Sequence, residues 1–319
     1  MADPLISVIV PTHNRPELVV RAVRCALEQV YTNIEIIVID DVGNAPEHEL
    51  RKLSEKVQYL RIPETFWISE NRNAGIRIAK GKYIALLDDD DLWYKEHLQA
   101  LVPVMEQNPD IGLACGNGHV THDLDCKNKE IIFPHLTKKM QGRLFSKTLW
   151  DCFMQPSLML IRKDIFEKVG LFRDIRGEDL DIITKIAAIS NIYYTPQLLG
   201  VYYRRLDISS ASELCQSSLD KRLSILLPMQ ECLESLPALA KSNGITFTLK
   251  ERFYLYLQRY YFDCYIVAVH YMYKNLHKRR ELIRVIHKYP ELTPITLLTP
   301  LCIFKKVRDL GLTMKKHTG

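Results

Sequence analysis

Four consecutive aspartates, Asp88–Asp91, follow the apolar run Tyr83–Leu87 without a spacer. Carboxylates so close repel one another unless water or a cation neutralises them. Hard divalent cations such as Mg²⁺ or Mn²⁺ take oxygen ligands, commonly one or two carboxylates together with substrate phosphates. Two more apolar runs end in polar groups: Leu5–Val10 runs into Pro11-Thr12-His13-Asn14, and Ile34–Ile39 into Asp40-Asp41. A further acidic pair, Glu178-Asp179, opens a helical pattern, where acids suit the helix dipole. No G-x-G-x-x-G follows the first apolar run, and no G-x-x-x-x-G-K-[ST] occurs anywhere. Phosphate recognition here would run through carboxylates and a cation instead of a glycine-rich loop. An EF-hand is a poor fit because its central glycine is missing from the acidic run.

The elements that must position these groups alternate in type. Leu5–Val10, Ile34–Ile39, Val57–Ile62, Tyr83–Leu87 and Ile111–Cys115 read as strands buried on both faces. Helical spacing follows Pro16 (Val19, Val20, Val23, Ala26, Leu27) and recurs over Glu47–Leu53, Asn71–Ala79 and Tyr94–Met105. Such alternation predicts an α/β domain whose sheet is largely parallel. Ligands of such sheets bind at the carboxyl ends of the strands, where Thr12, Asp40-Asp41 and Asp88–Asp91 fall. Beyond Gly116 the pattern loosens. Helices are predicted near Phe145–Cys152, over Lys163–Val169 and from Glu178, the last with Leu180, Ile183, Ile186 and Ala187 as its apolar face. Strands are predicted at Ser157–Ile161, Ile192–Tyr194 and Leu198–Tyr203. From about Ser212 the pattern is helical, and Phe247–Tyr273 holds ten of the 29 aromatics.

The 319 residues are 25% charged and 47% hydrophobic, which excludes disordered and fibrous classes. The formal charge of +5 is unevenly spread. Residues 270–319 carry eleven Lys/Arg against three acids, so this segment holds +8 and the preceding 269 residues hold −3. Eight dispersed cysteines without a C-x-x-C pair point to reduced thiols in a cytosol. The N-terminus lacks a signal-peptide pattern, and no run reaches the ~20 apolar residues of a spanning helix.

Taken in order, SVIVPTHNRPEL (7–18), IEIIVIDD (34–41), ENRNAGIRIAKGKYIALLDDDDLW (70–93) and MLIRKDIFEKVGLFRDIRGEDLDI (159–182) make the chain resemble the family 2 glycosyltransferases. The resemblance covers about residues 4–210. It implies an α/β GT-A (nucleotide-diphospho-sugar transferase) fold with a mostly parallel central sheet, plus a helical C-terminal region. The expected division is a catalytic domain over 1–211, with a nucleotide-sugar half to about 115 and an acceptor half over 116–211, then 212–319. The implied activity is inverting transfer of a sugar from a nucleoside-diphosphate sugar, with UDP the expected nucleotide, to a hydroxyl of a glycan acceptor.

By position, the resemblance puts Pro11, Thr12, Asn14, Asp41 and its neighbour Asp40 at the nucleobase, and Arg72 of Arg72-Asn73-x-Gly75 near the nucleotide. Asp88 and Asp90 match Asp-x-Asp: Asp90 as the main ligand of an Mn²⁺ or Mg²⁺ ion, Asp88 toward the ribose or the metal. Asp89 and Asp91 stay candidates, because register within four aspartates is not fixed by sequence. Asp179 is the implied catalytic base, with Glu178 orienting or binding acceptor. Asp181 reads as a solvated helix residue and Trp93 as a core aromatic. Relatives often carry a His after a Tyr-Arg-Arg strand, where this chain has Leu206; Arg204 or Arg205 would then supply charge to the diphosphate.

Three roles compete for 212–319: a packed helical subdomain, attachment of the basic 270–319 segment to an anionic membrane surface, or homo-oligomerisation through Phe247–Tyr273. The first two together are the expectation, with a lipid-linked oligosaccharide as acceptor in bacterial polysaccharide or O-antigen synthesis. The protein is then cytoplasmic, peripheral on the inner face of the cell membrane. Nucleic acid is not an expected partner, since the basic residues lie among aliphatic runs with no binding motif. A nucleotidyltransferase would want a glycine-rich basic loop after the first strand, and Pro11–Pro16 is not one. A non-catalytic nucleotide- or glycan-binding scaffold is the remaining alternative.

Overall fold

The computed structural model describes residues 3–41, 43–63, 68–204 and 219–272. The two most apolar, β-branched runs become β1 (Ile6–Thr12) and β2 (Ile34–Asp40), buried at every position as their composition predicts. Between and after them come α1 (Pro16–Leu27), α2 (Glu47–Leu53), β3 (Val57–Arg61), α3 (Ile68–Ile78) and β4 (Tyr83–Leu86). These form parallel pairs β3–β2, β2–β1 and β1–β4. Register aligns Thr12 with Asp40 and Ile9 with Leu86, so the polar strand ends reach one edge together.

The second half adds β5 (Leu92–Trp93), α4 (His97–Gln107), β6 (Ile111–Thr121), β7 (Glu130–Ile131), β8 (Met140–Gly142), α5 (Phe145–Trp150) and β9 (Met159–Arg162). Then follow α6 (Phe166–Val169), α7 (Glu178–Ile189) and β10 (Asn191–Tyr203). The sheet runs β3-β2-β1-β4-β9-β6-β10-β5, with β7 beside β6 and β8 beside β10. It is mixed: β6 and β10 are parallel, while β9 lies antiparallel to both β4 and β6.

Two strand boundaries depart from the sequence pattern. Ile111–Cys115 extends to Thr121 through Gly116, where a Cβ would stand 2.2 Å from the Leu199 side chain; glycine reads as a strand breaker but is what lets β10 approach. Ile192–Tyr194 and Leu198–Tyr203 are one strand with register shifts on both sides of Leu198, beginning where Pro196 lacks an amide to donate.

Strand alternation splits the core between the two faces of the sheet. Ile6, Val8 and Val10 pack with α1 (Val19, Val23, Ala26) and α4 (Leu98, Leu101, Met105). Ile9, Ile37 and Ile39 pack with α3, α5 and α7 on the other face. The same cluster takes in Cys232, Leu233, Leu236 and Ala240 of α8 (Leu219–Ser242), then Phe247, and Leu255 of α9 (Leu249–Met272). The start of the helical C-terminal region is therefore continuous with the core behind α7. Among the described residues, no helix is long and apolar enough to cross a membrane. Cys25, Cys115, Cys126, Cys152 and Cys232 are free thiols.

Candidate active site

The acidic run leaves β4 into a hydrogen-bonded turn, the Asp91 amide donating to the Asp88 carbonyl at 3.0 Å, which sends the four side chains in different directions. Asp89 and Asp91 are buried, while the side chains of Asp88 and Asp90 keep 22% and 15% exposure. The four aspartates thus separate into two pairs. Asp91 accepts the Ser157 hydroxyl at 2.5 Å and the Tyr203 amide at 2.9 Å, which ties the acidic loop to β9 and to the end of β10. Burial, then Asp88 and Asp90, push its pKa well above the ordinary value. Asp89 accepts Thr12 Oγ1 at 2.8 Å and Arg15 Nη1 at 2.6 Å. Burial raises its pKa against the pull of Arg15. Asp89, kept as a candidate with Asp91, turns inward and anchors the loop after β1. Arg15 also reaches Asp90 Oδ2 at 2.8 Å, and Arg21 donates to the Asp90 carbonyl at 2.8 Å.

Arg72, on α3, is buried at 2% exposure and joins the two acidic motifs. Its Nη2 donates to both oxygens of Asp88 (2.9 and 3.1 Å), and its Nη1 donates to Glu178 Oε1 at 3.0 Å. Phe172 lies under the guanidinium at 5.5 Å. Burial works against the charge, but Asp88 and Glu178 outweigh it, so the Arg72 pKa stands above its usual value. Asn73 of the same motif is buried and bonds the Phe172 carbonyl and amide (2.8 and 3.0 Å), holding α3 to the chain that leads into α7.

Gly177, left-handed at φ +80°, turns the chain into α7. Glu178 faces Arg72, and burial raises its pKa against the Arg72 charge. Asp179 is half-buried and accepts the Leu180 amide at 2.8 Å through Oδ1. Asp181, expected to be solvated, is fully buried and bound by Arg173 Nη2 at 2.8 Å and Lys185 Nζ at 2.7 Å. The reason is that α8 covers the side of α7 that Asp181 presents, with Arg173 also donating to the Pro228 carbonyl at 2.7 Å.

In the loop after β1, Pro11 and Thr12 are buried and Asn14 is exposed and left-handed (φ 54°), hydrogen-bonded to Asn44. Asp41 is buried beneath an exposed His13, whose Nδ1 lies 2.8 Å from Asp41 Oδ1. Asp40, which could share the nucleobase or merely pack, is fully buried and takes the Gly43 and Ala45 amides (2.7 and 2.8 Å) and the Tyr59 hydroxyl (2.8 Å). It shapes the loop after β2. Arg204 lies 6.0 Å over the Tyr202 ring, and Asp91, Asp88 and Asp90 all act on the Tyr202 hydroxyl. Arg205 and Leu206 lie outside the described residues. Trp93 is a core residue, stacked on His97 at 4.4 Å.

His13, Arg15 and Ser157 stood inside or beside the sequence motifs without drawing attention. The basic residue three after Thr12 was the available signal for Arg15, the counter-ion of Asp89 and Asp90. Among the described residues, no group of three His, Cys, Asp or Glu side chains converges as a metal centre. Asp88 and Asp90 are the part-exposed carboxylates of the run; a hard cation there would share them with Arg72 and Arg15 and take its remaining ligands from water and phosphate oxygen.

The family described as Glycosyl transferase family 2 matches residues 7–170. An uncharacterized glycosyltransferase of Rickettsia prowazekii is 31% identical over 206 residues, 62% of this chain and 63% of that protein. The chain thus spans less than two-thirds of that relative's length. Staphylococcus aureus TarS in complex with UDP-GlcNAc superposes with a TM-score of 0.56 at 12% identity, over 89% of this chain and 80% of that one. The mannosyltransferase PcManGT of Pyrobaculum calidifontis, in complex with GDP-Man and Mn²⁺, gives 0.54 at 16% identity, over 98% and 89%. At such identities the likeness is one of fold, and the fold is the GT-A type that the motifs imply.

Proposed function

We propose, from the premise that this chain belongs to glycosyl transferase family 2, that it moves a sugar from a nucleoside diphosphate to a hydroxyl of a glycan acceptor. The donor we favour is a UDP-sugar, and the acceptor an oligosaccharide carried on a lipid at the inner face of a bacterial membrane, in surface-polysaccharide synthesis. The observation that carries this reading is the single buried guanidinium of Arg72 bound to both Asp88 and Glu178. It supports a shared site for the strand-end carboxylates and the acidic start of α7.

Within that site, Asp88 and Asp90 would hold a divalent cation, which when bound supplies positive charge to the diphosphate leaving group. Pro11, Thr12, Asn14 and Asp41 line the approach to the nucleobase, with Arg204 at the diphosphate margin. Asp179 takes the proton of the acceptor hydroxyl as that oxygen attacks the anomeric carbon opposite the leaving group, and the bond to the diphosphate oxygen breaks with inversion. Its Oδ1 is engaged by the Leu180 amide, which orients the carboxylate and leaves Oδ2 to receive the proton. Glu178, bound to Arg72, positions rather than abstracts. General-base assistance of this kind contributes about 10²–10⁴ in rate.

The test is Asp179→Asn, with donor binding (UDP-GlcNAc and GDP-Man, with Mn²⁺, Mg²⁺ or EDTA) measured apart from transfer. Transfer should fall by at least about 10²-fold while donor affinity is kept. Donor affinity lost as steeply as turnover would refute the base assignment. Binding without turnover in the unaltered protein would favour a scaffold.

A further inference from the structure

Helix α9 opens on a reciprocal cap. The Thr248 hydroxyl accepts the Glu251 amide at 3.2 Å, and Glu251 Oε2 accepts the Thr248 amide at 2.8 Å. Glu251 Oε1 takes Arg143 Nη2 at 2.9 Å, and Phe247 stacks on Phe145 with ring centroids 4.8 Å apart. The first turn of α9 is thereby fastened to the start of α5. The side chains this rigid corner turns outward are nevertheless apolar: Leu249 is 85% exposed, Phe253 58%, and Trp150 at the end of α5 56%. Tyr254 joins them, its ring centroid 6.3 Å from Trp150 and 6.0 Å from Phe253.

Leu249 and Phe253, one turn apart on α9, stand largely in water beside the half-exposed Trp150, and an apolar patch of this kind marks an interaction surface. Its surroundings are cationic. Lys250 and Arg252 are exposed beside Leu249 and Phe253, and Arg143 and Lys147 lie at α5, against the carboxylates of Asp151 and Glu251. The sequence beyond α9 adds eleven Lys/Arg against three acids over 270–319.

We propose that the face formed by Trp150, Leu249 and Phe253 seats the protein on an anionic lipid bilayer, apolar groups among the headgroups and Lys250 and Arg252 at the phosphates. Trp and Tyr favour that interface, and an apolar anchor beside basic residues is the usual composition of peripheral attachment. Ring geometry favours lipid over sugar. Tyr254 meets Trp150 and Phe253 at 75° and 76°, so it breaks the platform on which a run of pyranoses could stack, and Leu249 offers a sugar no polar group. The lipid contact rests on the proposed reaction only in its purpose, which is to bring a lipid-borne acceptor to Asp179.

The test is co-sedimentation of the full chain with vesicles of phosphatidylglycerol and phosphatidylcholine, compared with phosphatidylcholine alone. The protein should bind the anionic vesicles. The double variant Leu249→Ser/Phe253→Ser should bind about tenfold more weakly or worse, with its melting temperature and UDP-GlcNAc or GDP-Man binding unchanged. Trp150→Ser, on the other helix, should repeat the loss, and Lys250→Glu/Arg252→Glu should abolish the preference for phosphatidylglycerol. Three results overturn the proposal: no binding by the unaltered protein, undiminished binding by the Leu249/Phe253 variant, or undiminished binding with reduced turnover on a soluble glycan. Asp179→Asn should bind vesicles normally, so failure of the reaction and failure of the lipid contact are read separately.

Discussion

Replacing Arg72 by methionine keeps most of the stem volume and removes the charge that Asp88 and Glu178 share. Breaking a buried ion pair from one side costs about 3–5 kcal/mol, because the remaining charge is left desolvated. Here two carboxylates are left, but their side chains keep 22% and 16% exposure, so water recovers part of the loss. We expect about 3 kcal/mol at neutral pH, read as a shift in the urea midpoint. The loss should depend on pH. Glu178 already stands above its ordinary pKa through burial, with Arg72 holding it down and Asp179 adding to the rise. Without Arg72 it rises further. A carboxyl whose folded pKa exceeds its unfolded value adds stability that is present at low pH and lost as pH rises through the folded value. The deficit of the variant should therefore shrink as pH falls from neutrality toward the ordinary carboxyl range. Glu178→Gln added to Arg72→Met should recover part of it at neutral pH. Arg72→Lys should not behave conservatively, since one ammonium cannot serve two carboxylates in the planar geometry that Nη1 and Nη2 provide. A loss below about 1 kcal/mol, or one equal at both pH values, would refute the account of Arg72 as the shared counter-ion.

Asp40→Ala should cost about 2–4 kcal/mol in thermal or urea unfolding, because it orphans the Gly43 and Ala45 amides and the Tyr59 hydroxyl together. Asp40→Asn, which keeps an acceptor, should cost less. Gly75→Ala places a Cβ 2.6 Å from Ile9 Cγ2 in the closed core between α3 and β1. It should cost about 2 kcal/mol, and combined with Ile9→Ala it should cost less than the two singles added.

The strands of the first half were legible because each is a short β-branched run closed by polar residues, and their parallel order follows from the intervening helices. Pairing of β9 between β4 and β6 was not, since nothing in Met159–Arg162 tells which neighbours it meets. Asp181 illustrates a second limit. A carboxylate in the first turn of a helix looks solvated until α8, some fifty residues later, covers it and Arg173 and Lys185 neutralise it. Asp40 illustrates a third: two adjacent aspartates at a strand end look equivalent, yet the loop amides of Gly43 and Ala45 claim one of them. Within the site, the motifs were legible as pieces, while the bond between Arg72 and Glu178, 106 positions apart, is a product of the fold.

That bond also bears on which member of Glu178-Asp179 can accept a proton. Both lie in the first turn of α7, and sequence alone assigns them by resemblance. Their surroundings differ in kind. Glu178 keeps 16% of its side chain exposed and is held by a guanidinium, so a proton arriving there would weaken its bond to Arg72 and leave Asp88 as that arginine's remaining partner. Asp179 is half-buried, spends one oxygen on the Leu180 amide, and makes no hydrogen bond to the guanidinium. Two neighbouring carboxyls placed in unlike environments take unlike roles. On the reading proposed above, Glu178 is the partner that keeps Arg72 and Asp88 in place, and Asp179, outside that bond, is the member proposed to receive the acceptor's proton.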